Sequence, residues 1–325
     1  MIFRILRILC GKKKDYTVRA GRKIIDAHSH LLPDEIRSHA SFYSEDWGKI
    51  EKQLEVMEKL GIDKSILSYP TTDVSHKGKL TELQEAKLYN EAMSRIIKRY
   101  PDKFFFTALI PISDGSVKDG LKCAKEEQGA KGISLASSHS GIYLDDQRFY
   151  AIYESAIDLG FPIFVHATTN NPIGFDSVKD PLLTPVIEFP FDLTICAGKL
   201  LMSGTLERFS DLTFIFPHFG GVLPFLMERF DTTYTMLRKI GYVRDLKGLP
   251  SDHLKKVYVD VSGATSPFII KCALETFGAD HILWGSDYPG NSKASESIVN
   301  IEGLDIPDSH KTAILGKNSE RIVEM

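Results

Sequence analysis

Cysteine is scarce and scattered in this chain of 325 residues: Cys10, Cys123, Cys196 and Cys272 are the only four, and none forms a CxxC pair. That argues against a Cys-based zinc site or a redox couple and points to a reduced, cytoplasmic protein. Charge of one sign is also missing. Forty Lys+Arg against 43 Asp+Glu leave a formal charge of -3, so no global positive field draws nucleic acid or an acidic membrane. No run spans a bilayer. The apolar start, MIFRILRILC, is broken by Arg4 and Arg7 and lacks a small-residue cleavage site, so neither insertion nor a signal peptide is expected. With Lys12 to Lys14 it has the makings of a short amphipathic helix on a membrane surface, but packing on the fold is the commoner fate of such a terminus. Gly/Ser-rich linkers, GxGxxG and GxxxxGK[ST] are absent too, which weakens two-domain and nucleotide-binding readings. What remains is a globular composition, 43% hydrophobic and 26% charged, whose expected partner is a small molecule.

At roughly 100–200 residues per domain, this length holds two ordinary domains or one large barrel. From Lys23 onward, short β-branched or aromatic runs alternate with stretches of helical period. The candidate strands are 24–28, 65–68, 104–109, 132–135, 163–166, 213–216, 257–261 and 282–284, eight in all. Between them lie helix signals. Thr81 and Gln84 have capping-box spacing, Ser266-Pro267 can open a helix that Gly278 closes, and Asp145 or Asp146 opens another closed by Gly160. A recurring helix-Gly-strand step and the lack of any composition break favour a single (β/α)8 TIM barrel over residues 23–325, preceded by a short N-terminal extension, 1–22. The segment 167–191, with four prolines, reads as a long loop at the functional face.

Chemistry gathers at the strand ends. In Ile24-Ile25-Asp26-Ala27-His28-Ser29-His30, positions 28 and 30 share a strand face, so both rings can meet one ion. Alone this is a weak signal. Yet the later strands also stop at polar groups: Phe164-Val165-His166, Phe216-Pro217-His218 and Trp284-Gly285-Ser286-Asp287. A barrel brings all carboxyl ends to one mouth, so His166, His218 and Asp287 converge with the first pair. The bland reading, in which these groups only cap strands by backbone hydrogen bonds, must explain three coincidences at once. His139, after the fourth strand, also falls at the mouth, with substrate contact and plain loop exposure equally open. His39, His76, His253, His281 and His310 read as surface or loop residues.

These segments, IDAHSHLLP, PIFVHA, LLMSGTLERFSDLTFIFPHFGGVLPFLMERFD and ILWGSDYP, resemble the amidohydrolase superfamily. The likeness is to the amidohydrolase-related branch that holds aminocarboxymuconate semialdehyde decarboxylase and γ-resorcylate decarboxylase, and it runs from about Lys23 to Ile322. The resemblance implies His28, His30, His166 and Asp287 as ligands of one divalent metal, most often Zn²⁺ with Mn²⁺ also suited, and His218 as an unligated acid–base residue. Asp287 would share the proton work. Binuclear relatives use a lysine at the end of strand four; here Lys131 lies at its entrance, so one metal is expected. A substrate anchor is unassigned, with Arg37, Arg148 and Lys179 as cationic candidates.

The leading expectation is a nonoxidative decarboxylase of an unsaturated or aromatic carboxylic acid, in which His218 as imidazolium protonates the carbon that loses carbon dioxide. The alternative is a hydrolase of a lactone, ester or amide using metal-activated water. A noncatalytic barrel would need an incomplete site, against the full ligand set. Homodimers are common in the family, so a homodimer is expected, and apolar residues of the later helices are its candidate interface.

Overall fold

Eight parallel strands alternate with eight principal helices in the computed structural model, which describes residues 21–39, 43–70, 80–112, 117–169, 171–263, 265–291 and 294–324. The strands are β1 (Ile25–His30), β2 (Lys64–Ser68), β3 in two pieces (Phe104–Phe106 and Ala108–Leu109), β4 (Ile133–Ala136), β5 (Ile163–His166), β6 (Phe214–Phe216), β7 (Val257–Asp260) and β8 (Ile282–Leu283). The helices are α1 (Ile50–Leu60), α2 (Glu82–Arg99), α3 (Val117–Glu126), α4 (Tyr150–Leu159), α5 (Phe189–Ser203), α6 (Leu223–Lys239), α7 (Pro267–Phe277) and α8 (Ala294–Glu302). Every expected strand is present, within two residues at each end.

Parallel pairing runs β1-β2-β3 and β4-β5-β6-β7-β8. The two arcs join at Thr107, where Thr107 N–H donates to Leu67 O at 3.0 Å and Ala108 N–H to Gly132 O at 2.8 Å. Closure comes where Ala27 N–H donates to Trp284 O at 2.9 Å and His30 N–H to Tyr288 O at 2.8 Å. The result is a (β/α)8 barrel, the fold class expected. Its interior holds a small apolar layer, Ala27, Ile66, Phe164, Ile215 and Leu283, closed from below by Ile322 and Val323 of the C-terminal helix. Two residues further along the same strand face, Phe164 gives way to His166 and Tyr258 to Asp260. The polar site therefore stands directly on the apolar floor.

Local signals behave mostly as their chemistry requires. Thr81 and Gln84 form a reciprocal capping box at 2.9 and 3.2 Å, and Asp146 accepts from Arg148 N–H at 3.0 Å to open the turn before α4. Gly61 and Gly160 close α1 and α4 in left-handed geometry, φ 70° and 64°. Ser266 occupies the N-cap of α7, but its side chain makes no cap bond. Residues 167–191 are less loop-like than expected: Phe175–Val178 and Thr184–Glu188 are helical turns, the second running into α5. Pro185 and Pro190 sit in first-turn positions, where proline suits a helix. The N-terminal segment through residue 20 and His76 lie outside the described residues.

Candidate active site

Four imidazoles and a carboxylate meet at the carboxyl end of the barrel. His28 and His30 come from β1, His166 from β5, His218 from just after β6, and Asp287 from the turn after β8. Candidate ligand atoms of His28, His166, His218 and Asp287 all lie within 4.8 Å of one another. His30 belongs to the same group: its Nε2 is 2.9 Å from His28 Nε2 and 3.4 Å from Asp287 Oδ1. His28 Nε2 is 3.5 Å from that oxygen. Ring centroids separate one member from the rest. His30 lies 4.8 Å from His28 and 5.0 Å from His166, whereas His218 is 5.2 and 6.4 Å from the same two. His28 and His30 are buried, while His166, His218 and Asp287 are partly exposed, so the group opens to solvent on their side.

The hydrogen-bond partners decide which nitrogen of each ring carries its proton. His30 Nδ1 faces Ser68 O at 3.0 Å and His166 Nδ1 faces Ala167 O at 3.1 Å. A carbonyl only accepts, so both rings are Nδ1–H donors. His28 Nδ1 faces Asp260 Oδ2 at 2.9 Å and Ser262 Oγ at 3.1 Å, and His218 Nδ1 faces Ser262 Oγ at 2.9 Å. Ser262 donates its one hydroxyl proton to Asp260 Oδ1. Its oxygen can then only accept, which makes His28 and His218 Nδ1–H donors as well. Every neutral ring thus presents the Nε2 lone pair. Two such lone pairs 2.9 Å apart, on His28 and His30, repel unless a proton or a metal cation lies between them. Neutral imidazoles with a carboxylate are the donor set that suits a divalent ion, and outer partners on Nδ1 are what a ligating histidine requires.

The electrostatics of the metal-free chain agree. Burial opposes charge on His28, but Asp260 and Asp287 outweigh it and lift its pKa to about 9, so a proton stands where a cation would. Burial pushes His30 down and, with the neighbouring imidazoles, holds His166 well below the usual range. Asp260 and Asp287 are lowered against their burial by the surrounding imidazoles, Asp260 to about 2.

Backbone geometry aims these groups. His218 and Asp287 are non-glycine residues in the left-handed region, at φ 52° and 57°, and such strain persists where the surroundings over-determine it. The anchors are visible: His218 N–H donates to Asp260 Oδ1 at 3.1 Å, and Asp287 N–H to His28 O at 2.7 Å. Asp26 accepts Ser286 N–H at 2.8 Å and the Ser286 hydroxyl at 2.5 Å, stitching β8 to β1. Burial raises its pKa to about 6. Gly221, at φ 74°, is fixed by contact, because a Cβ there would overlap the Pro190 carbonyl.

Asp260, Ser262, Asp26 and Trp47, which stacks 5.6 Å from His30, are site residues that motif reading missed. Other candidates fall away from the group. Arg37 pairs with Asp34 at 2.8 Å, Arg148 with Asp146 at 2.9 Å, and Lys179 is exposed. His139 packs 5.5 Å from Phe149, its pKa pushed down to about 4 by burial. Lys131 is exposed at the opposite end of the barrel.

A family model described as amidohydrolase matches residues 25–324. The chain belongs to the amidohydrolase family. Curated relatives of this amidohydrolase include the 6-methylsalicylic acid decarboxylase of Penicillium expansum, 23% identical over 311 residues, which are 89% of this chain and 93% of that protein. The γ-resorcylate decarboxylase of a Polaromonas species is 23% identical over 251 residues, 74% and 76% of the two chains. Among solved structures, 5-carboxyvanillate decarboxylase from Sphingomonas paucimobilis matches with a TM-score of 0.82 at 18% identity, over 94% of this chain and 99% of that one. The Novosphingobium aromaticivorans enzyme of that name, complexed with manganese and 4-hydroxy-3-methoxy-5-nitrobenzoic acid, matches at TM-score 0.81 and 21% identity, over 94% and 97%. Family and donor set together make the His/Asp group of this amidohydrolase a divalent-metal site.

Proposed function

We propose that this amidohydrolase removes carbon dioxide, without oxidation, from an aromatic or unsaturated carboxylic acid. The observation that carries the reading is the position of His218. It sits at the edge of the imidazole group, 6.4 Å from His166 between ring centroids, with Nδ1 held by Ser262 and a strained backbone fixing its aim. His28, His30, His166 and Asp287 would hold one metal, for which Zn²⁺ is the first choice and Mn²⁺ the second. When bound, the ion supplies the positive charge that fixes a carboxylate or hydroxyl oxygen of the substrate.

The chain's own residues do the rest. The partly exposed side formed by His166, His218 and Asp287 admits the substrate, and buried His28 and His30 close the floor. His218, doubly protonated, gives its Nε2 proton to the carbon bearing the carboxylate. The carbon–carboxylate bond then breaks, its electron pair stays on the ring or alkene, and carbon dioxide leaves. The net change is one proton consumed per carbon dioxide released, and His218 regains its proton from solvent. Asp260 and Ser262 keep the Nδ1 proton on His218, so Nε2 is the nitrogen that gives up and regains the other. The named activities of the relatives support this chemistry over hydrolysis.

His218→Asn tests the division of roles. Metal content should stay near one equivalent while turnover falls by about a hundredfold or more; loss of metal would make His218 a ligand instead. We also place the protein in the cytoplasm as a homodimer. Exposed apolar side chains on and near α6 and α7, among them Phe225, Met236, Ile240 and Phe268, are the candidate interface, which sedimentation would test. No helix among the described residues is long and apolar enough to cross a membrane.

A further inference from the structure

Glu188 breaks a rule that the other interior acids keep. It is 1% exposed, yet neither Oε1 nor Oε2 has a hydrogen-bond partner among the described residues. Asp26, Asp192 and Asp260 are equally buried, and each accepts several bonds. Burying a carboxylate without a donor is strongly unfavourable. Where a chain keeps such a violation, a function that needs it is the first place to look.

The position of Glu188 says which function. It ends the turn Thr184–Glu188 and lies one helical turn before Asp192, about 6 Å along the axis, on the same face. The first turns of α5 straddle the mouth of the barrel. Asp192 accepts from the Ser137 hydroxyl at 2.5 Å, the Tyr143 hydroxyl at 3.1 Å and Ile173 N–H at 3.0 Å, which ties α5 to the loops after β4 and β5. On the opposite side, Thr194 Oγ1 gives its proton to Pro190 O at 2.7 Å and accepts from Val222 N–H at 2.8 Å, just after His218. The Glu188 stem packs beside Gly174, where an added Cβ would stand 3.7 Å from Glu188 Cγ, in the segment leaving β5 at His166.

We propose that Glu188 is a specificity-determining residue in the wall above the metal group, whose carboxylate accepts a hydrogen bond from a hydroxyl or amino group on the substrate, at a ring position other than those of the carboxylate that is lost and of the hydroxyl beside it. This rests on the decarboxylase reading and deepens it: the acid taken is one bearing a ring donor. A site built to accept a hydrogen bond rejects the analogue that lacks the donor, because its own polar group is then left unpaired.

The test uses the metal-loaded full chain, wild type, Glu188→Gln and Glu188→Leu. The probes are 2-hydroxybenzoate and its derivatives carrying one further hydroxyl or amino group at each remaining ring position. Carbon dioxide release and equilibrium dialysis are read for each. For the derivative that wild type prefers, Glu188→Leu should raise KM and the dissociation constant by at least about tenfold, with 2-hydroxybenzoate changed by less than about twofold. Whether the preferred derivative carries the hydroxyl or the amine names the donor. Glu188→Leu should also unfold at higher urea concentration than wild type, since a buried carboxyl group without a hydrogen-bond partner is gone. Equal changes for every probe would overturn the proposal. So would a changed oligomeric state with selectivity intact, which would assign Glu188 to a contact between copies. If wild type releases no carbon dioxide but donor-dependent binding is lost in Glu188→Leu, the decarboxylase reading fails while the role of Glu188 stands.

Discussion

Replacing Asp260 by Asn acts at the pivot of the proton arrangement. Asp260 Oδ2 lies 2.9 Å from His28 Nδ1, while Oδ1 accepts His218 N–H at 3.1 Å, Ser262 N–H at 2.9 Å and the Ser262 hydroxyl. Three donors on one side hold the amide oxygen of an Asn there, so its NH₂ must face His28. An amide NH₂ only donates. His28 then has to offer Nδ1 as an acceptor and carry its proton on Nε2, the atom that points at His30 2.9 Å away. Side-chain volume is preserved and the fold should survive, but the ligand lone pair is lost. Removing the outer carboxylate of a ligating histidine weakens metal binding by about 10–100-fold, or about 1.4–2.7 kcal/mol. Chelator competition on metal-stripped protein measures this directly, with circular dichroism as the control for folding. Metal affinity within about twofold of wild type would refute the tautomer assignment and the role given to Asp260.

The raised pKa of His28, about 9 in the metal-free chain, makes metal binding a proton-releasing reaction. Affinity should climb by about tenfold per pH unit up to about 9 and then level off, and calorimetry in two buffers at pH 7 should show about one proton released; a flat profile would contradict it. By the same linkage, the ion pairs of His28 stabilise the metal-free chain fully below pH 6.5, and that contribution is lost as pH rises through about 9, which urea midpoints across that window would show. Gly221→Ala should lower stability by about 2 kcal/mol or more, because its Cβ would overlap the Pro190 carbonyl at a φ of 74° that alanine resists. An unchanged urea midpoint would show that α5 and the turn after His218 are not packed as described.

Much of this site is legible in the sequence, and the reason is physical. An apolar strand has no need of a polar end, so His166, His218 and Asp287 stand out, and barrel closure brings them to the pair on β1. The same rule applied to Val257-Tyr258-Val259-Asp260 reaches Asp260, although spacing alone cannot tell an outer carboxylate from a ligand. Ser262 is beyond that rule, since its role needs imidazoles from two other strands to meet at one hydroxyl. The reach of β1 through His30 depends on an irregular register between Asp26 and Ser29 that no periodicity signals. Prolines 185 and 190 look like loop residues until their place in a first helical turn is known. Glu188 is an ordinary glutamate in sequence, and only burial without a donor distinguishes it.

The central claim is carbon dioxide release with His218 as the proton source. Incubating the metal-loaded protein with hydroxybenzoic acids, and in parallel with their esters, lactones and amides, in D₂O enriched in ¹⁸O, and analysing the products by mass spectrometry, tests it most directly. The account predicts one deuteron at the vacated ring carbon, no ¹⁸O in the aromatic product, and loss of both deuteration and gas release in His218→Asn. An oxygen label at a cleaved ester, lactone or amide bond, with no carbon dioxide from any acid, would contradict it and make the chain a hydrolase.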